Sequence, residues 1–411
     1  MTGIAPMTGV WDEVVGQPET VTILRAAAAT AGAIVAAAGR PVGGEQARAA
    51  DAAAMTHSWL FTGPPGSGRS VAARAFAAAL QCPLGGCGQC AQCHTVRAGT
   101  HADVHVVVPD GLSIPVRDMR ALVRTAARRP SAGRWQVVIV EDADRLTEGA
   151  ANALLKAVEE PPARTVFLLC APSTHPDDVS VTLRSRCRVI PLRVPEDAAV
   201  AEVLIRRDGV DAAQAAWAAG AAQGHVGRAR WLARDEQARI RRKAVLDIPL
   251  SLRSLADSFA AADELVGGAE EEAAGRSRER DEPEAQALRV ALGAGGTGKG
   301  TAAAARGSAG QLKELERRQK SRATRAQRDA LDRALVDLAG FYRDALTVRS
   351  GAQTRLFHSD VEIDIRRLAR GLSAEGILRR LEAVLAARTA LELNVKPRIA
   401  IEAMTVALRM R

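Results

Sequence analysis

HSWLFTGPPGSGRS, residues 57–70, sets the class of this chain. Its apolar part, Ser58-Trp59-Leu60-Phe61, predicts a buried strand, and Val71 to Leu80 predicts an Ala-rich helix. Between them lies the loop Gly63-Pro64-Pro65-Gly66-Ser67-Gly68-Arg69-Ser70. Strand, glycine loop and helix N-terminus in that order make a phosphate cradle. Glycine lets several backbone N–H groups converge on anionic oxygens, and the helix dipole adds to the attraction. The pattern is G-x-x-x-x-G-[K]-[ST], with Arg69 where lysine is expected. A tight turn holding no ligand is the bland alternative. The flanking strand and helix are the context that the phosphate reading requires.

Upstream, VWDEVVGQ (Val10 to Gln17) precedes a helix expected over Glu19 to Ala38 and opened by Pro18. Val14-Val15 followed by Gly16-Gln17 suits a loop around an adenine edge, and equally suits plain core packing. Arg40 to Met55 is rich in Gly and Ala and reads as a surface insertion. Downstream come Cys82, Cys87, Cys90 and Cys93, with two C-x-x-C-type steps and glycines that permit sharp turns. Four thiols at this spacing fit a closed, tetrahedral, structural zinc site; a redox C-x-x-C pair would need only two.

Farther along, Val104 to Val108 and Trp135 to Val140 predict strands, the second running into Glu141-Asp142-Ala143-Asp144. Acids at the carboxyl end of a central parallel strand are where a Mg²⁺–water shell sits beside bound phosphates. Helices are expected at about Arg117 to Arg128 and at Glu148 to Glu159, the latter stopped by Pro161-Pro162. Val166 to Cys170 is another buried strand with Ser173-Thr174 at its carboxyl end, and Val189 to Leu192 a last short one. Strands alternating with helices to about Pro195 argue a parallel α/β sheet covered on both faces.

Beyond Pro195 the strand signals stop, and the pattern predicts short helices over 196–233 and an all-helical region over 234–411. Within it, residues 267–310 are low in apolar residues and rich in charge and glycine, which predicts disorder. Gly293 to Gly300 imitates a phosphate loop without a preceding strand and reads as a decoy.

At 411 residues the chain is long enough for two or three domains. Aromatics make up 3%, which favours helices packed through small side chains. A net charge of +9 and a pI near 9.8 make an acidic partner plausible, nucleic acid included. No run of about 20 apolar residues and no signal pattern is read, so the expectation is a cytoplasmic protein without a membrane span.

Taken together, VVGQ at 14–17, GPPGSGRS at 63–70, the four cysteines, EDAD at 141–144, NALLKAVEEPP at 152–162 and LRSRC at 183–187 resemble the clamp-loader branch of the AAA+ ATPases. The resemblance covers roughly Val10 to Leu232, and its last two motifs are the most specific. It implies an AAA+ sheet domain with a zinc module over 1–195, a helical lid over 196–233 and a helical collar for oligomerisation over 234–411. It places Val15 and Gln17 at the adenine side, and Gly63, Gly66, Ser67, Gly68, Arg69 and Ser70 around phosphates. Glu141 and Asp142 take the metal and water-activating positions, and Ser173 or Thr174 the polar sensor. Arg186 becomes an arginine finger for the neighbouring subunit. Implied partners are the tau/gamma and delta clamp-loader subunits in a hetero-pentamer, the sliding clamp and, through the complex, primed DNA.

Departures bear on activity. Arg69 is planar and longer than lysine. The acidic pair is Glu141 then Asp142, where the family has Asp then Glu, so the water-activating group is a methylene short. Near Gly224-His225-Val226-Gly227-Arg228 the second sensor arginine is displaced by one position. The expectation is a structural zinc and ATP/Mg²⁺ turnover that is weak or absent, the stator's part in a clamp loader. An ATP-hydrolysing motor subunit and a zinc-containing nucleic-acid reader are the rivals.

Overall fold

The computed structural model describes residues 9–37, 55–291 and 301–410. The Arg40–Met55 insertion, except Met55, and the phosphate-loop decoy lie outside them. The chain divides into two compact units, one of residues 1–109 and 113–230 and one of residues 110–112 and 231–411.

In the first unit, a 3-10 turn at Val10–Glu13 leads to α1 (Pro18–Ala37). Then follow β1 (Ser58–Thr62), α2 (Arg69–Gln81), α3 (Ala91–Arg97), β2 (Val104–Val107) and α4 (Val116–Ala126). Next come β3 (Gln136–Val140), α5 (Glu148–Glu159), β4 (Thr165–Ala171), the short α6 (Val181–Arg184) and β5 (Arg188–Pro191). The strands form one parallel sheet in the order β2-β3-β4-β1-β5.

Strand alternation sends neighbouring side chains to opposite faces. Trp59, Phe61, Val137, Ile139, Val166 and Leu168 join one core with Leu24, Ala31 and Phe76 of α1 and α2. Leu60, Val138, Val140, Phe167 and Leu169 join the other with Met119, Leu154 and Val158 of α4 and α5. A strand buried on both faces needs apolar residues at most positions, which is why β1, β3 and β4 read as nearly continuous apolar runs. The alanines of α2, six of them buried between Ala72 and Ala79, let that helix lie close to the sheet.

By length and composition α1 is long and apolar enough to cross a membrane, a measure that a helix packed in a core also meets. It carries Glu19 and Arg25, so it is not the unbroken apolar run that the sequence reading looked for. Leu24, Ala27, Ala28 and Ala31 of this helix are buried in the first core.

The first unit closes with α7 (Asp197–Asp208), α8 (Ala212–Ala221) and the beginning of α9 (Val226–Arg234). The second unit is helical: α10 (Glu236–Ser251), α11 (Leu255–Ala291), α12 (Thr301–Ser350), α13 (Glu362–Gly371), α14 (Ala374–Glu392) and α15 (Pro397–Arg409). Its core includes Leu246, Leu331, Leu335, Phe341, Ile365, Val384 and Ile401.

Of the stretch 267–310 expected to be disordered, 267–291 instead continue α11 and 301–310 begin α12, and 292–300 lie outside the described residues. Low apolar content misled because Ala, Glu and Arg are strong helix formers. Cross-helix pairs add to this: Arg333 with Glu272, Arg322 with Asp281 and Glu284, and Gln327 with Glu270.

Candidate nucleotide and metal sites

Two loops bracket α2, and the candidate chemistry lies in them. The first follows β1. Gly63, Gly66 and Gly68 adopt φ of +155°, +90° and +88°, conformations that strain any other residue. A Cβ at Gly63 would lie 2.6 Å from both the Leu192 carbonyl oxygen and Ser67 Oγ. One at Gly66 would lie 2.9 Å from His225 Cβ, so the turn before α9 packs on the crest of the loop. Gln17 ties in from the N-terminal side: its Nε2 donates to the Arg193 carbonyl (2.5 Å) and the Ser67 carbonyl (3.4 Å). Val15 lies in the turn just before it.

The charged groups around this loop are engaged within the fold. Arg69 Nη1 donates to the Gly63 carbonyl at 2.9 Å, inside its own loop. Glu141, at the end of β3, accepts from Arg74 Nε and pairs with its Nη2, both at 2.9 Å. Asp142 sits in the left-handed region at φ +53°. Two residues on, Asp144 is largely buried with its Oδ1 unpartnered. Burial pushes its carboxyl up, the Asp142 charge adds to this, and Arg145 and Arg69 partly offset it. Cys170 closes the floor on β4; burial, then the Glu141 charge, pushes its thiol up.

The sensor and finger positions follow β4 in the chain. Ser173 Oγ donates to Asp178 at 2.6 Å and accepts from the His175 N–H. Thr174 offers its carbonyl to Arg184 Nη1 at 3.1 Å. Arg186 is exposed, pairs with Glu159 at 2.5 Å and donates to the Thr182 carbonyl at 2.8 Å. Sequence reasoning missed Arg74 and His225. The signal for Arg74 was a cation on an Ala-rich helix one turn past the loop; His225 lies in the stretch read as the second sensor, but only the fold brings it to Gly66.

The second loop follows α2. The sulfurs of Cys82, Cys87, Cys90 and Cys93 all lie within 4.8 Å of one another, with Cys82–Cys87 at 3.6 Å and Cys82–Cys90 at 3.7 Å. Four sulfurs about 2.3 Å from one tetrahedral zinc stand about 3.8 Å apart, so the arrangement fits. Backbone N–H groups of Leu84 and Cys87 point at Cys82 Sγ, and that of Cys93 at Cys90 Sγ, a shell suited to thiolate charge. Backbone N–H groups of Gln89 and Cys90 hold the Cys87 thiol down to about 6, whereas burial pushes Cys93 up.

The loop is docked firmly. Trp11 Nε1 donates to the Gly85 carbonyl (3.0 Å), the Val10 N–H to that of Gly86 (3.0 Å), and Arg134 to that of Cys82 (2.9 Å). Arg97 holds the Gly88 carbonyl and pairs with Glu13.

Residues 45–196 match the family described as DNA polymerase III, delta subunit, and residues 324–404 match the one described as DNA polymerase III, delta subunit, C terminal. The Bacillus subtilis (strain 168) DNA polymerase III subunit delta' is 34% identical over 157 residues, 38% of this chain and 47% of that protein. The Pseudomonas aeruginosa subunit delta' is 38% identical over 156 residues, 36% and 47% of the two chains. The Mycobacterium tuberculosis (H37Rv) subunit gamma/tau is 37% identical over 151 residues, 36% of this chain and 26% of that one. The match thus spans about half the length of the delta' relatives and less of gamma/tau.

Proposed function

We propose, for a chain that belongs to the clamp-loader family of DNA polymerase III subunits, the part of the delta' stator. In this reading it works in the cytoplasm within a hetero-pentamer with tau/gamma and delta subunits. The complex opens the sliding clamp and places it on primed DNA. The first loop then serves as a structural brace, the cysteine loop holds one structural zinc, and Arg186 acts on the nucleotide of a neighbouring subunit.

The observation that carries the stator reading is the state of the first loop. The cradle keeps its glycine geometry, but Arg69 is committed to the Gly63 carbonyl and Glu141 to Arg74. A bound Mg²⁺-nucleotide would supply a phosphoryl group for water to attack. This donor set fits that group poorly, because Glu141, only 15% exposed, would have to give up Arg74, and Arg69 its bond to the Gly63 carbonyl. Asp142 is also a methylene short for orienting water.

Arg186 is placed differently. Its pair with Glu159 is exposed on both sides, and such pairs are worth only about 0–1 kcal/mol. It can therefore leave Glu159 for a phosphate at little cost, and a guanidinium on a transferring phosphoryl group stabilises its developing charge. In a reconstituted loader, Arg186→Ala should preserve assembly and lower ATP turnover about tenfold or more. Unchanged turnover, or failure to assemble, contradicts the assignment. Arg184 is not a neutral comparison, since it holds the Thr174 carbonyl; Arg206→Ala, in an exposed pair with Glu202, is the better one.

The gamma/tau similarity favours one rival, the ATP-hydrolysing motor subunit. Turnover by the chain alone separates the two.

A further inference from the structure

The longest helix, α12, carries a dense block of positive charge. Between residues 311 and 328 stand seven Lys or Arg against Glu314 and Glu316, a surplus of five out of the chain's nine. Packing sorts these residues. Arg322 is drawn to Asp281 and Glu284 of α11, and Arg328 donates to the Leu391 carbonyl and Asn394. Lys313, Arg317, Arg318 and Lys320 are exposed.

Three of the exposed cations fall in one line. Lys313, Arg317 and Lys320, followed by exposed Thr324, recur at i, i+4, i+7 and i+11 along one face of the helix. At about 1.5 Å of rise per residue the row is ~16 Å long. Arg317 is steadied by two bonds to Glu314, at 2.9 and 2.7 Å, in an exposed pair of the weakly held kind. The apolar neighbour Leu315 points inward and is buried.

That chemistry narrows the partner. A protein interface concentrates its energy in buried aromatic and apolar anchors, and this row presents none. Single-stranded nucleic acid is held by stacking bases on aromatic rings, and residues 311–340 contain no aromatic. A straight row of cations ending in a hydroxyl fits phosphates alone. We propose that this face of α12 binds the phosphate backbone of duplex DNA. The contact needs only this chain, so it stands or falls separately from the subunit assignment.

The test is fluorescence anisotropy of a labelled 30-base-pair duplex with the full chain, across a salt series. A triple variant, Lys313→Ala with Arg317→Ala and Lys320→Ala, is compared with a triple of equal charge change elsewhere. The latter is Arg206→Ala with Lys243→Ala and Arg366→Ala, each in an exposed i,i+4 pair. The α12 variant should lose about tenfold or more in affinity at low salt, and its log K against log salt should flatten by about 2.7, at 0.9 per phosphate. The comparison triple should stay within about twofold, and Lys320→Glu alone should weaken binding more than Lys320→Ala. Equal losses in both triples overturn the proposal, as does no loss in either. Competition by poly-glutamate as effective as by unlabelled duplex also overturns it, since that would point to an acidic protein.

Discussion

The two loops at the ends of α2 begin from similar material, glycine-rich turns anchored to the same helix, and end in opposite chemical states. In the cysteine loop every candidate donor faces a common point, with backbone N–H groups turned toward the sulfurs. In the phosphate loop the backbone keeps its shape while Arg69 turns back onto the Gly63 carbonyl and Glu141 is taken up by Arg74. Backbone geometry and side-chain chemistry can therefore part company. A glycine pattern reports the first, whereas a ligand set at metal spacing reports both at once.

The largest expected effect is at the cysteine loop. Cys90→Ser with Cys93→Ser should reduce bound zinc from about one equivalent to below about a tenth. It should also lower Tm by ~10 °C or more, because metal binding free energy is folding free energy here. Metal analysis and a thermal melt of the same preparation check this, and an unchanged melt would mean the loop stands without its ion.

Damage to the other loop should be smaller and confined. Gly63→Ala puts a Cβ 2.6 Å from the Leu192 carbonyl at a φ of +155°. It should cost about 2 kcal/mol in urea unfolding while zinc content stays the same. Zinc lost along with stability would show that the two loops are one cooperative site.

The smallest effect concerns Asp144. Its carboxyl is pushed up by burial, so the folded chain holds that proton more tightly than the unfolded chain does. Stability from this group is therefore lost as pH rises above about 3.9, the unfolded value, through the folded pKa. Asp144→Asn should raise Tm by a few degrees at neutral pH, with the gain vanishing toward pH 4. A gain that is instead largest in acid would contradict the assignment.

The sheet was legible because a strand buried on both faces leaves no alternative to an apolar run, as in WQVVIV at 135–140. The cysteine site was legible because four thiols within one short loop have few other uses. Side-chain commitments were not. Nothing in the order of residues says that Arg74 reaches Glu141 across 67 positions, or that His225 packs on Gly66. The α11–α12 pairing was hidden for a related reason. Its stability lies in helix propensity and in ion pairs across the hairpin, which composition averages away.

The most direct test of the central claim, that the first loop is a brace and not a motor, is steady-state ATP turnover by the zinc-loaded chain alone. The account predicts a rate below about 0.1 s⁻¹, far under the ~10 s⁻¹ of a typical enzyme. Turnover near ~10 s⁻¹, abolished by Arg69→Ala, would contradict it and assign the chain to the motor role.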